Sequence, residues 1–267
     1  MIFNLKNKNI LLTGASGLLG SVIAETYAQA GANLFLTDLN SSALKIQCKK
    51  LKKINPNIYY YKADLTSEKE VIELKNKVIQ KMGTLDVLYS NAAGKTENLH
   101  DFFKDFENYN YKVWKKIINI NLDSMFLVTK NLGQLIVNNP NRGSIILTSS
   151  IYGVISPDRR IYKGSLYKNI KIDSPAVYTT SKSAVIGLMK YLAAYWGPLN
   201  IRVNSISPGG IESGQNKEFI KKYSNKVPLN RMGDIKDISG ISLFLASDES
   251  KYFNGHNFIM DGGMSIW

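Results

Sequence analysis

A tyrosine and a lysine four residues apart, in Tyr178-Thr179-Thr180-Ser181-Lys182, make the stretch of this chain best suited to proton chemistry. On a helix, positions i and i+4 share a face, so the Lys182 ammonium can approach the Tyr178 phenol and favour its ionised form. A phenol, whose ordinary pKa is about 10, then becomes usable as an acid or base near neutrality. The pair alone carries little weight, because two such residues on an exposed helical face are usually just solvated. Ser149-Ser150 upstream and a glycine-rich loop near the start of the chain give it company.

That loop, Thr13-Gly14-Ala15-Ser16-Gly17-Leu18-Leu19-Gly20, follows an apolar run and opens a segment of helical period, the context a phosphate-binding loop requires. Glycines let the backbone turn tightly and come close to a pyrophosphate, whose charge sits at the positive helix N-terminus. Gly14, Ser16, Gly17, Leu19 and Gly20 are the candidate contacts. Asp38 ends the second apolar run, 24 residues after Gly14 (38 − 14), where a carboxylate can accept hydrogen bonds from ribose hydroxyls and would repel a 2′-phosphate. No Arg or Lys lies in the glycine loop or directly after Asp38. Both features favour NAD over NADP.

The elements that must position these residues announce themselves by alternation. Apolar runs at 10–13, 34–37, 58–61, 87–89, 145–148, 203–206 and 258–260 alternate with longer stretches of helical period, the βαβ signature of a parallel sheet. The expected fold is α/β: a single Rossmann-type, doubly wound domain over 1–267, with a seven-stranded parallel sheet and helices on both faces. The helix carrying Tyr178 should have Ser174 as N-cap, Pro175 at its first helical position and a stop at Trp196-Gly197-Pro198. Its stripe of Ala184, Val185, Leu188 and Leu192 reads as a packing surface, against the sheet or a partner subunit.

Composition narrows the function classes. A chain of 267 residues suffices for one large domain, and no linker, repeat or low-complexity tract divides it. The single cysteine, Cys48, excludes an intrachain disulfide and fits a reducing compartment. No segment reaches the 18 or so apolar residues of a membrane span, and glycines 14, 17 and 20 make the early apolar run a strand entering a loop rather than a secretion signal. A cytoplasmic protein with no membrane partner is expected. The formal charge of +13 suits an anionic ligand or nucleic acid, but no basic helix or aromatic-interleaved basic stripe stands out. No nucleic-acid partner and no metal are expected.

Taken in order, these residues resemble the short-chain dehydrogenase/reductase family, from about Lys6 to Asp261-Gly262-Gly263. The glycine loop is followed by Asp64-Leu65-Thr66, Ser90-Asn91-Ala92-Ala93, Asn121, Ser150, Tyr178 with Lys182, and Pro208-Gly209. The resemblance implies that Asp64 and Leu65 flank an adenine, that Asn91, Ala92 and Ala93 pass along the cofactor's ribose, and that Pro208, Gly209, Ile211 and Ser213 border the nicotinamide. It also implies that Ser150 hydrogen-bonds the substrate oxygen and Tyr178 exchanges its proton. Lys182 would hold the nicotinamide ribose while stabilising tyrosinate, and Asn121 would position a water in the proton relay. Ser150 is preferred to Ser149 because Ser150-Ile151-Tyr152-Gly153 matches the family's Ser-x-x-Gly spacing. The family further implies a homotetramer or dimer, with the helices ending near Asn138 and Trp196 packing across subunits.

Two departures stand out. Leu18 replaces a middle glycine, so the loop reads Gly-x-x-Gly-x-x-Gly, similar to the extended branch containing nucleotide-sugar epimerases and dehydratases; the length and the Asp-Gly-Gly ending argue against that branch. Ser90 and Ala93 replace the first Asn and final Gly of Asn-Asn-Ala-Gly.

On the substrate side, Ser150 and Tyr178 lie 28 residues apart (178 − 150), more than in many family members, so an insertion at about 154–174 should border the active-site mouth. From Ser156 to Ser174 it carries Arg159, Arg160, Lys163, Lys168 and Lys171 against Asp158 and Asp173, a net of 5 − 2 = +3. Such charge can hold a phosphate or carboxylate, with Arg160 the candidate substrate contact beside Ser150 and Tyr178; a solvated loop is the alternative. Residues 211–228 read as a mobile lid. Pro157-Asp158, Ile161-Tyr162, Ala194-Tyr195-Trp196, Arg231-Met232 and Trp267 also resemble a narrower group of oxidoreductases, the flagellin modification protein A-like enzymes of bacterial surface-glycan and legionaminic acid pathways. That likeness implies a small-molecule substrate, a sugar or sugar-phosphate alcohol that can be anionic. The expected activity is hydride transfer between nicotinamide and a secondary alcohol or ketone. The alternatives are a sugar epimerase or dehydratase that retains NAD, and a catalytically silent NAD-binding scaffold.

Overall fold

The structure, a computed structural model, describes residues 3–267. In chain order its elements are β1 (Asn9–Thr13), α1 (Leu18–Gln29), β2 (Asn33–Asp38), α2 (Ser41–Leu51), β3 (Ile58–Lys62), α3 (Glu68–Met82), β4 (Val87–Ser90), α4 (Leu99–Phe102), α5 (Tyr111–Ile118), α6 (Ser124–Val137), β5 (Ser144–Thr148), β6 (Leu166–Tyr167), β7 (Ile170–Lys171), α7 (Ala176–Trp196), β8 (Arg202–Pro208), α8 (Lys217–Ser224), α9 (Ile238–Ala246) and β9 (Asn257–Met260). Each of the seven apolar runs forms a strand of one parallel sheet, in the order β3-β2-β1-β4-β5-β8-β9.

Side chains alternate across that sheet with period two. Leu11, Phe35, Leu88, Ile145, Leu147 and Val203 face one way, onto α3, α6 and α7; Ile10, Leu12, Leu34, Leu36, Tyr89 and Ile206 face the other, onto α1, α2 and α9. Burial on both faces is why the five central strands read as continuous apolar runs. The chain winds outward from β1 to β3, then returns to place β4 on the other side of β1. This reversal opens a crevice at the carboxyl ends of β1 and β4, where open α/β sheets bind ligands.

The start of α7 departs from expectation. Pro175, not Ser174, holds the cap position, and no side chain caps the helix. Pro175 remains extended at ψ 149°, so the first helical residue is Ala176, and the Ser174 hydroxyl is buried without a hydrogen-bond partner. At the other end Trp196 turns inward: a Cβ on Gly133 of α6 would lie 2.8 Å from its ring. The stacked Tyr191 and Tyr195 rings, 5.8 Å apart, are the exposed aromatic face of that helix. Among the described residues, no helix is long and apolar enough to cross a membrane, and no group of three His, Cys, Asp or Glu could hold a metal ion.

Residues 154–174 contain a single turn at Arg159–Tyr162 and the β6–β7 hairpin. Ile161, Tyr162 and Ile172 from this segment pack with Tyr152 and with Phe219, Tyr223 and Val227 from residues 211–228. The two segments thus share a small apolar core of their own, above the carboxyl ends of the strands.

Candidate active site

A cavity of about 790 Å³ runs along the carboxyl ends of the central strands. At one end stands the glycine loop. Gly14 has φ +61°, and a Cβ there would come within 2.8 Å of the Ala92 Cα; only glycine fits. Thr13 Oγ1 accepts hydrogen bonds from the Asn91 and Ala92 backbone N–H groups, both at 3.0 Å, and locks the loop to the end of β4. Gly20 has a different part from the one expected. It does not line the cavity; a Cβ on it would sit 2.0 Å from the Gly14 carbonyl oxygen, so it shapes the loop from behind.

Helix α1 begins at this loop with Gly17 as cap, no side-chain capping bond and no acidic residue in its first turn. Its amino-terminal N–H groups and positive dipole end are therefore not satisfied by the chain's own carboxylates, the arrangement that receives phosphate oxygens. Ser16, Gly17 and Leu19 line the cavity here. Asp38 stands beside them, accepting from the Ser16 N–H at 2.9 Å and the Asn40 N–H at 3.1 Å. The only cationic side chains on the cavity wall, among the described residues, are Lys95 and Lys182. A 2′-phosphate at Asp38 would meet a carboxylate with no adjacent counter-charge. Asp64 and Leu65 continue the wall, with Asp64 Oδ1 accepting from Thr66 N at 2.9 Å and Thr66 Oγ1 at 2.7 Å. Asn91, Ala92, Ala93, Pro208, Gly209, Ile211 and Ser213 line the middle.

Ser150, Tyr178 and Lys182 come together at the centre of this wall. Ser149 is occupied elsewhere, donating to the Lys182 carbonyl at 2.7 Å. Ser150 accepts from the Tyr152 N–H at 3.2 Å and hydrogen-bonds Tyr178. Burial raises the Tyr178 phenol above its ordinary pKa, and the Ser150 hydroxyl alone opposes the rise. The expected pull of Lys182 on that phenol is not part of this geometry: the ammonium donates to the Thr148 carbonyl at 3.0 Å. Lys182 is itself almost fully buried, which lowers its pKa to about 8. The ammonium is held by the end of β5 rather than bound to the phenol.

Asn121 lies behind the cavity wall, not on it. It sits in a widened helical turn, Asn119–Asp123, between α5 and α6, and its Oδ1 accepts from the Gly94 N–H at 2.9 Å. Its Nδ2 is buried with no partner. Through its Oδ1 it clamps the backbone of the loop after β4. Arg160 is the clearest correction. It is 87 % exposed, forms a two-pronged pair with Asp158 at 2.8–2.9 Å, and does not line the cavity. Asp158 caps the turn in which Arg160 sits and also pairs with Lys226, so the carboxylate two residues upstream captures the guanidinium. Arg159 is likewise tied to Asp105 at 3.1 Å and Asp173 at 2.7 Å.

Sequence reasoning missed several wall residues. Thr148 positions both Lys182 and, through its hydroxyl, Asn91 Oδ1 at 3.1 Å. Lys95, Phe102 and Phe103, from the chain after β4, and Tyr167 of the insertion also line the cavity. A lysine directly after Ala93-Gly94 is the only signal the sequence offered for them.

Comparison with known proteins finds relatives along nearly the whole chain. A family model described as Enoyl-(Acyl carrier protein) reductase matches residues 14–265. The chain is 31 % identical to a 3-oxoacyl-(acyl-carrier-protein) reductase of Thermotoga maritima, covering 98 % of this chain and 99 % of that protein. It is 32 % identical to a sorbose reductase of Candida albicans, covering 98 % and 88 %. Among solved structures, a short chain dehydrogenase from Leptospira borgpetersenii with bound NAD+ superposes with a TM-score of 0.85 at 32 % identity, covering 98 % of this chain and 94 % of the other.

Proposed function

The chain belongs to the short-chain dehydrogenase/reductase family, and we propose that within it the protein is an NAD-dependent oxidoreductase acting on a secondary alcohol or the matching ketone of a sugar or sugar phosphate. The observation that carries this reading is the shared cavity in which Ser150, Tyr178 and Lys182 face a glycine loop with an uncapped helix end and Asp38 beside it.

NAD would be held by the α1 amino terminus, with Asp38 at the adenosine ribose and Pro208, Gly209, Ile211 and Ser213 at the nicotinamide. When bound, it supplies the hydride donor or acceptor. The chain's own residues handle the oxygen of the substrate. Ser150 donates a hydrogen bond to it, and Tyr178 gives its proton to that oxygen in reduction and takes it back in oxidation. Burial holds the phenol in its protonated form, which suits the reductive direction; in oxidation the Ser150 hydroxyl, which alone opposes that rise, favours the tyrosinate. Asn121 holds the Gly94 backbone and so the loop that includes Ala92 and Ala93. The 154–174 insertion and the 211–228 lid close the substrate end and exclude water. The narrower likeness to surface-glycan oxidoreductases and the sorbose reductase relative both support a carbohydrate substrate. We further propose a homo-oligomer that uses the exposed Tyr191–Tyr195 face of α7.

The test follows reduced-cofactor absorbance while polyols, sugars and sugar phosphates are screened with NAD and NADP in parallel. Tyr178→Phe should lower the rate by about 10²- to 10⁴-fold while NADH still binds, as read by nucleotide fluorescence. Undiminished turnover in Tyr178→Phe would remove the assignment. Tightly copurifying cofactor with no net NADH release would favour the epimerase or dehydratase chemistry instead.

A further inference from the structure

Among the described residues, the substrate end of the cavity holds one cation that the hydride-transfer reading does not use. Lys95 lies on the cavity wall together with Ser150 and Tyr178. Its ammonium is 4.6 Å from the centre of the Tyr167 ring, 5.6 Å from Phe103 and 6.0 Å from Phe102. No carboxylate among the described residues lies within ion-pair distance of it. Aromatic faces attract an ammonium without cancelling its charge or accepting its strong hydrogen bonds. The result is a cation that is positioned but not neutralised.

Four further observations converge on this residue. Lys168 sits 5.5 Å from the same Tyr167 ring, so two like charges flank one aromatic side chain, and an anion placed beside Lys95 would relieve their repulsion. Although Lys95 as a residue is exposed, its ammonium is partly desolvated among the rings, and that desolvation, with Lys168 second, lowers its pKa. A partly desolvated charge attracts an anion more strongly than a fully hydrated one. Asp173, the carboxylate on the substrate side of the cavity, is already occupied by Arg159 at 2.7 Å. The backbone under Lys95 is fixed as well: Gly94 N–H is held by Asn121 at 2.9 Å, and Thr96 Oγ1 bonds the Asn98 carbonyl at 2.7 Å.

We propose that Lys95 is a specificity residue that binds an oxyanion, a phosphate or carboxylate, carried by the substrate away from its reacting carbon. The inference rests on the oxidoreductase reading for the location of the reacting carbon. It shifts the anion site from Arg159 and Arg160 of the insertion, which are already paired with carboxylates, to the loop after β4. Lys95 touches the distal group, not the transferred hydrogen, so its loss affects substrate binding far more than the chemical step.

The experiment is calorimetric titration of the full protein, saturated with NADH, with sorbitol, sorbitol 6-phosphate and gluconate. An alcohol with reduced cofactor does not turn over, so binding alone is read. The wild type should bind one charged ligand about ten- to a hundredfold more tightly than sorbitol, the range of one charge-assisted hydrogen bond; which ligand is preferred distinguishes phosphate from carboxylate. Lys95→Met should abolish that preference, Lys95→Arg should keep most of it, and both should leave sorbitol and NADH affinity and the thermal midpoint unchanged. Absence of any preference in the wild type, or its survival in Lys95→Met, overturns the proposal. Failure of NADH to bind the wild type would overturn the oxidoreductase reading instead, and the same three ligands would then be compared on the protein alone.

Discussion

Placing a lysine where the proton chemistry needs it should cost this fold stability, and the cost can be measured. Lys182 is 2 % exposed, and burial lowers its pKa from 10.5 to about 8. At 1.36 kcal/mol per pH unit, that drop of about 2.5 (10.5 − 8) corresponds to roughly 3 kcal/mol. The sign follows from proton counts. Between pH 8 and 10.5 the unfolded chain holds the proton and the folded chain does not, so stability rises with pH across that window. Below about pH 8 both states are protonated and the full cost is present; above about 10.5 both are neutral and it vanishes.

Lys182→Met removes the titration while filling similar space. It also leaves the Thr148 carbonyl without its 3.0 Å donor, a loss of about 1–3 kcal/mol at every pH, so the two proteins should differ little at pH 7. The diagnostic is the slope. Urea unfolding at pH 7, 8, 9 and 10.5 should show the wild type gaining about 3 kcal/mol relative to the variant, with other titrating groups cancelling in the difference. A difference that stays flat, or falls as pH rises, would refute the claim that burial holds this ammonium near its point of deprotonation.

Other substitutions separate the parts of the site. Asp38→Ala should narrow the preference for NAD over NADP by about ten- to a hundredfold in kcat/KM, the scale of one lost charge-assisted bond; an unchanged ratio would mean that Asp38 serves only its 2.9 Å bond to Ser16. Gly20→Ala forces a Cβ to within 2.0 Å of the Gly14 oxygen. It should destabilise the fold by about 1–3 kcal/mol and weaken NADH binding, both visible in one thermal-shift series with and without nucleotide. Arg160→Ala should leave kcat/KM within about twofold, because the side chain is exposed, held by Asp158 and off the cavity wall; a larger loss would return Arg160 to the substrate.

Much of this was legible from local pattern. The central strands were readable because a sheet buried on both faces demands unbroken apolar runs, and the glycine loop because it sits where β1 ends and the chain must turn. What stayed hidden depended on partners far apart in the chain or on burial. Nothing near Asn121 indicates that it clamps Gly94, 27 residues earlier. The charge count of the insertion could not reveal that Asp158, Asp105 and Asp173 would occupy its arginines. Lys95 lies in an irregular loop whose aromatic neighbours come from 102–103 and from Tyr167, so no periodicity marks it. The lysine–tyrosine spacing implied an acidified phenol, whereas burial raises it and sends the ammonium to Thr148.

The placement of Lys182 has a physical cause that also joins the two halves of the site. The Asn91 backbone is held by Thr13 at 3.0 Å, its amide group bonds the Gly14 carbonyl at 3.3 Å and the Thr148 hydroxyl at 3.1 Å, and Thr148 in turn receives the Lys182 ammonium. One continuous set of hydrogen bonds therefore runs from the phosphate loop at the end of β1, across β4 and β5, to the helix bearing Tyr178. Partly buried polar groups of this kind are costly when unpaired and rigid when paired. The same bonds that keep Lys182 off the phenol thus fix its distance from both Tyr178 and the glycine loop. A ligand that bridges loop and phenol meets groups already set in place, and little ordering remains to be done when it binds.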